Sequence, residues 1–172
     1  IDGRSGSGKS TLAREVATTT PVDVSIIEGD DFYAGGTAAF WDGLSAEDKV
    51  GHCIDWRRQR PVLDELRRGR IASWRPFDWE AFDGSLTAEA DRCPPDTIVI
   101  LEGAYSARPE LADLLDLRVL LDTSDRLRRA RLIEREGEAY VDDWYRRWSE
   151  AEDHYFGQIM TAERFDLVLR SG

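Results

Sequence analysis

The chain has 172 residues, enough for one domain with a sizeable core. Its 41% hydrophobic and 10% aromatic content belongs to a globular protein rather than a disordered one, and no apolar run approaches the ~18 residues that a membrane span needs. A net charge of −11, from 34 acidic against 23 basic residues, argues against a nucleic-acid partner and against a membrane surface of anionic lipid.

Taken in order, short apolar runs alternate with helical segments, the pattern of an α/β protein on a parallel sheet. Ile1-Asp2 reads as the end of a first strand, too short to be whole, so native residues are expected ahead of Ile1 and a targeting signal there stays open. A helix is predicted over about 9–18 and a strand over 24–27, "VSII". The stretch 34–55 has no clear period and reads as a mobile loop or a short-helix insertion. The helix over about 57–68 carries Val62, Leu63 and Leu66 on one face; Pro61 starts or interrupts it, and Gly69 stops it. Buried strands follow at 97–101, 117–121 and 166–169, with helices over about 109–115, 124–136 and 138–156. No repeat or linker divides the chain. Cys53 and Cys93 lack metal-ligand spacing and read as the thiols of a reducing, cytoplasmic protein, a single disulfide being the less favoured reading.

Among the 23 basic residues only Lys9 and Lys49 are lysines, and Lys9 stands among glycines with a serine behind it. Gly3-Arg4-Ser5-Gly6-Ser7-Gly8-Lys9-Ser10 fits G-x-x-x-x-G-K-[ST], the phosphate-binding loop (P-loop). Glycines let successive N–H groups turn toward phosphate oxygens, and the helix that opens with Lys9, Ser10 and Thr11 adds its positive end. Lys9 supplies a point charge to the β/γ-phosphates, and the Ser10 hydroxyl suits Mg²⁺. An accidental Gly/Ser match is disfavoured by average glycine usage and by the position between strand end and helix. A dinucleotide fingerprint fails because Lys9-Ser10-Thr11 stand where its third glycine belongs. The Asn-Lys-x-Asp motif of GTPases and an ABC-type signature are both missing, which leaves a small kinase.

The chain resembles the uridine kinase-like branch of P-loop kinases, which includes nucleoside and nicotinamide riboside kinases. The resemblance is carried by "GRSGSGKSTLA", "IIEGDDFY", "LRRGRIASWRPFDW", "IVILEGAYS", "LLDTSDRLRRARLIERE" and "FDLVLRSG", in family order over most of the chain. It implies one three-layer α/β domain with a five-stranded parallel sheet in the order 2-3-1-4-5. It also implies a small lid near 124–140, an acceptor-side insertion near 32–96, ATP and Mg²⁺ as cofactors, and a small-molecule acceptor with a hydroxyl. The protomer is expected as a monomer or homodimer.

The resemblance casts Asp30 as general base, set at the carboxyl end of a strand beside the loop, where it would also meet the acceptor. A plain Asp30-Asp31 turn is the alternative. Glu102, after four apolar residues, would hold the metal with Ser10, or else cap a helix or face solvent. Arg128, Arg131 and Arg135 share one helix face and would close over the phosphates, Arg131 on the transferring group and Arg128 also near the acceptor; a solvated helix face is the alternative. Phe77 and Trp79 match the positions of the family's acceptor wall, with Trp56 as an added side; a packed aromatic cluster is the competing reading. The base-reading histidine of uridine kinases is replaced by Phe82, and His52 and His154 lie elsewhere, so the acceptor is expected to be nucleoside-like without strict uridine selection. A vitamin or antibiotic-type acceptor, or a regulatory nucleotide-binding protein without acceptor chemistry, stay open as alternatives.

Overall fold

A computed structural model describes residues 1–171, the side chain of Tyr140 apart. Its elements run α1 (Lys9–Thr19), β1 (Val24–Glu28), α2 (Ala38–Asp42), α3 (Ala46–His52), α4 (Trp56–Arg67), β2 (Ala72–Trp74), β3 (Asp91–Cys93), β4 (Ile98–Glu102), β5 (Val119–Thr123), α5 (Asp125–Glu136), α6 (Glu138–His154) and β6 (Leu167–Ser171). Short 3₁₀ turns stand at Gly29–Phe32, Pro109–Leu114 and Ala162–Arg164.

The β-branched and leucine-rich runs become strands paired in parallel, β1 with β4 from Val24–Ile98 to Glu28–Glu102 and β5 with β6 from Val119–Leu167 to Thr123–Ser171. Between the two pairs lies Ile1-Asp2. The Ile1 amino group donates to Leu101 O and Gly103 N donates to Ile1 O, while Asp2 N donates to Val119 O and Leu121 N to Asp2 O. The structure thus holds two parallel strand pairs with Ile1-Asp2 hydrogen-bonded to both. A short antiparallel pair, β2 with β3, was not signalled by any alternating run.

The strand expected at 117–121 forms two residues later, because pairing with β6 begins at Val119 and leaves Leu117 60% exposed. The segment expected as a helix over 109–115 is a 3₁₀ turn over Pro109–Leu114. Pro61 lies inside α4 without ending it, since Val62 and Leu63 anchor the helix in the core. The stretch 34–55 takes the short-helix form. Thr37 and Ser45 cap α2 and α3 by accepting from Phe40 N and Asp48 N. Trp41 is buried between Tyr33 and Trp148, and Asp42 accepts from Arg147 of α6 at 2.9 Å. Helices of five and seven residues are too short to show a 3.6-residue period. Cys53 and Cys93 are free thiols. No helix among the described residues is long and apolar enough to cross a membrane.

Candidate active site

The strand end at Asp2 delivers the chain into the glycine loop, and its carboxylate locks the turn. Buried Asp2 accepts from Gly3 N and Tyr105 N through Oδ1, and from Ala107 N and the Tyr155 hydroxyl through Oδ2, all at 2.7–3.0 Å. Burial raises its pKa while these donors oppose the rise. Tyr155 reaches Asp2 from the π-helical turn that follows α6.

Two glycines of the loop are sterically required. A Cβ on Gly3 would stand 2.6 Å from Leu121 O, and one on Gly6 would stand 2.7 Å from Arg128 O at a backbone φ of 76°. The carbonyls of Ser5 and Ser7 are taken by side chains from outside the loop. Arg128 Nη1 donates to Ser5 O at 2.7 Å, and Ser7 O accepts from Arg131 Nη1 at 2.7 Å and from Thr123 Oγ1 at 3.1 Å. The backbone N–H groups of Gly6, Gly8, Lys9, Ser10 and Thr11 have no hydrogen-bond partner among the described residues. The buried Ser7 hydroxyl is also unpaired. Lys9 Nζ rests on Arg4 O at 3.2 Å. Five unpaired donors at a helix start beside a lysine make a cradle for an anion, and they fit the phosphates of a nucleotide.

Beside the cradle the carboxyl ends of β1 and β4 bring acids together. Glu102 is 5% exposed, and the Ser10 hydroxyl lies near enough to act on its carboxyl group. Burial raises its pKa, Ser10 and Lys9 lower it, and nearby Asp30 and Glu28 push it up again. A serine hydroxyl and a carboxylate within reach of each other are hard oxygen donors, the set that suits Mg²⁺ beside a phosphate chain. Asp30 and Asp31 separate in role. Asp31 Oδ2 accepts from Trp74 Nε1 at 2.8 Å and its carbonyl accepts from Phe77 N at 2.7 Å, so it fastens the 3₁₀ turn to β2 and the segment after it. Burial lifts its pKa to about 6 against the pull of Trp74. Asp30 is exposed, and its carboxylate has no hydrogen-bond or ion-pair partner among the described residues.

A sizeable cavity lies elsewhere. It measures about 710 Å³, is lined chiefly by aliphatic side chains such as Leu12, Val16, Val99 and Val119, and includes none of Lys9, Ser10, Asp30 or Glu102. Its two arginines, Arg67 and Arg118, are already paired with Asp116 and Asp166, so the charged cradle is the candidate site.

No protein-family model matches the chain. A uridine kinase of Halobacterium salinarum is 28% identical over 140 residues, covering 79% of this chain and 60% of that protein. Another from Streptococcus agalactiae serotype V is 25% identical over 183 aligned positions, covering the whole chain and 85% of that protein. Among solved structures, a "possible uridine kinase" from Bacillus stearothermophilus superposes with a TM-score of 0.73 at 20% identity, over 98% of this chain and 85% of that one. A D-glycerate 3-kinase from Cryptococcus neoformans gives 0.64 at 15% identity, over 98% and 82%. In sequence the chain is similar to these uridine kinases. Its fold is the α/β fold of P-loop kinases.

Within that uridine kinase-like frame, the remaining expected residues are placed unevenly. Arg128, expected over the ligand, is 2% exposed and points under the loop, held by Asp125 at 2.7 Å and Glu152 at 3.3 Å. Arg131 is exposed and lies on the loop carbonyls, whereas Arg135 pairs with Glu136 at 2.6 Å and touches no loop atom. Spacing of i, i+3 and i+7 shares a face, but the face straddles the edge between loop and solvent. Phe77 is 2% exposed and edge-on to Tyr33, turned inward by its N–H bond to Asp31 O. The solvent-facing aromatics are instead Trp79, 51% exposed and stacked on Tyr33 at 5.2 Å, and Phe82, 56% exposed. Trp56 packs against the guanidinium groups of Arg57 and Arg108, apart from that cluster. His52 Nδ1 bonds Asp48 O within α3. Three functional groups left no signal that sequence reasoning used: the Asp2 lock, Thr123 on Ser7 O, and Glu152, which accepts from Ser5 N at 2.7 Å.

Proposed function

We propose that the chain is an ATP-dependent kinase that moves the γ-phosphoryl group of ATP·Mg²⁺ to a hydroxyl of a nucleoside-like small molecule. The observation that carries the reading is the convergence of five unpaired loop N–H groups and Lys9 with the Ser10–Glu102 pair, across from the exposed Asp30. The loop amides and Lys9 bind the phosphates, and Ser10 with Glu102 holds the cation. Bound ATP·Mg²⁺ supplies the phosphoryl group and a metal that spreads its charge. Asp30 orients the acceptor hydroxyl and takes its proton as the new P–O bond forms and the bond to the ADP oxygen breaks. Arg131, already against the loop, is assigned the charge on the transferring group. Trp79, with Phe82 rather than Phe77 beside it, offers the acceptor a flat stacking surface.

The sheet inferred beneath this site has five strands in the order 2-3-1-4-5, counting Ile1-Asp2 as the first and β1, β4, β5 and β6 as the second to fifth. The hydrogen bonds of Ile1-Asp2 to β4 on one side and β5 on the other support it. We read the lid as α5 with the turn into α6, and the acceptor side as the chain from Phe32 to the end of β3.

The test is ADP release from ATP·Mg²⁺ across a panel of nucleosides, vitamins and aminoglycoside-type hydroxyl compounds. Acceptor-dependent turnover on a compound with a flat ring is the expected result. Nucleotide binding with no acceptor-dependent turnover on any of them would instead identify a regulatory P-loop protein.

A further inference from the structure

We infer that Glu152, acting with Arg128, is a positioning residue for the nucleotide phosphates: the pair grips the Ser5 backbone from below and fixes which way the loop's peptide groups point. The inference rests on the kinase reading above and deepens it.

Glu152 is 147 positions from Ser5 in the chain and comes to it on α6. Its Oε1 accepts the Ser5 N–H at 2.7 Å. Its Oε2 lies 3.3 Å from Arg128 Nη1 and 3.9 Å from Arg4 Nη1. The same Arg128 Nη1 donates to Ser5 O at 2.7 Å, and Nη2 is anchored on Asp125 at 2.7 Å. Both polar groups of Ser5 are therefore held by two charged side chains that are each 3% exposed. Two residues further on, Arg131 and Thr123 take Ser7 O. A loop carbonyl swung inward would set a partial negative charge against a phosphate oxygen. Charged partners in a low-dielectric setting hold such a peptide far more firmly than water does. With the carbonyls of Ser5 and Ser7 tied outward, the N–H groups of Gly6, Gly8 and Lys9 are left facing the cradle.

This arrangement makes a prediction opposite in sign to the one expected if Arg128 touched phosphate directly. Were Arg128 a ligand cation, removing the neighbouring carboxylate charge would free it and leave ATP binding unchanged or tighter. As a brace, the pair fails once Glu152 is neutralised, because a glutamine has one acceptor oxygen to share between Ser5 N–H and two guanidinium groups.

The experiment measures the Kd of ATP·Mg²⁺ by calorimetry, without acceptor, for the wild type, Glu152→Gln, and the double variant Arg128→Met/Glu152→Leu. The double change replaces a buried ion pair by apolar groups of similar volume and leaves no lone buried charge, so with its folding checked by Tm it remains decisive should the single variant misfold. Both variants are expected to weaken ATP binding about tenfold or more, the scale of one lost charge-assisted hydrogen bond, while the double variant keeps its Tm. Unchanged or tighter ATP binding in Glu152→Gln overturns the inference, as does a folded double variant with wild-type affinity. A wild-type protein that binds no nucleotide overturns the kinase reading itself, and the brace with it.

Discussion

The phosphate-loop end and the proposed acceptor side of this molecule are built on different terms. Around the loop, buried side chains from three distant parts of the chain, Asp2, Thr123 with Arg128, and Glu152, fix backbone groups by direct hydrogen bonds. On the acceptor side, short helices and a three-residue strand pair carry an aromatic surface whose outer members, Trp79 and Phe82, are about half exposed. The phosphate group is the same in every reaction of this class, so its cradle can be rigid and densely braced. An acceptor varies from one kinase to the next, and the region that meets it is made of elements whose replacement disturbs little of the core.

The comparison breaks first at Lys9. Lys9→Ala removes the point charge from the cradle. It should lower kcat/KM by on the order of 10³ or more, the scale at which preorganised electrostatic contacts act on transition states, while leaving the far-UV spectrum and Tm near wild type. Turnover within a few-fold of wild type would remove the loop from the chemistry.

Asp30→Asn tests the border between the two regions. The replacement is nearly isosteric but takes no proton, so kcat should fall by ~10²–10⁴ with ATP affinity little changed. An unchanged kcat would pass the role to Asp31 or Glu102. On the acceptor side, Trp79→Ala should raise the acceptor KM by roughly 5- to 150-fold, from the ~1–3 kcal/mol of a base stacked on an aromatic ring, and spare the KM for ATP. A rise in both constants would place Trp79 in the fold rather than in the wall.

The same contrast explains what was legible in the chain. The loop could be read because its residues are contiguous and each glycine or cation answers a local demand. β1, β4 and β6 could be read because buried parallel strands are continuous apolar runs. Glu102 and Asp30 were visible as acids at the carboxyl ends of such runs. Glu152 was not, because within "SEAEDH" it looks like any other acid on a solvated helix, and only tertiary contact sets it against Ser5. Phe77 was misplaced for a related reason: aromatic identity says nothing about which side of a turn faces inward, and its orientation follows from one bond to Asp31 O. Arg128 had the right helix face but the wrong depth on it.

The smallest expected effect concerns Asp31, and it distinguishes a fastening acid from a catalytic one. Its carboxyl pKa rises from 3.8 to about 6 on folding, chiefly through burial. The folded state therefore keeps the proton to a higher pH than the unfolded chain, and binds more protons between those two values. Stability from this group is fully present below about pH 4 and is lost as pH rises through 6, the opposite of a salt-bridged aspartate. At neutral pH the folded protein thus carries an ionised, half-buried carboxylate whose main compensation is the Trp74 indole N–H. Asp31→Asn keeps an oxygen acceptor for that N–H and removes the charge. It should raise stability at pH 7 by about 1 kcal/mol after allowance for solvent screening, flatten the dependence of Tm between pH 4 and 7, and change kcat by less than about fivefold. A variant as pH-dependent as the wild type would remove Asp31 as the source of the slope. A loss of kcat as large as that of Asp30→Asn would make the two aspartates a catalytic pair and move the border between the two regions by one residue.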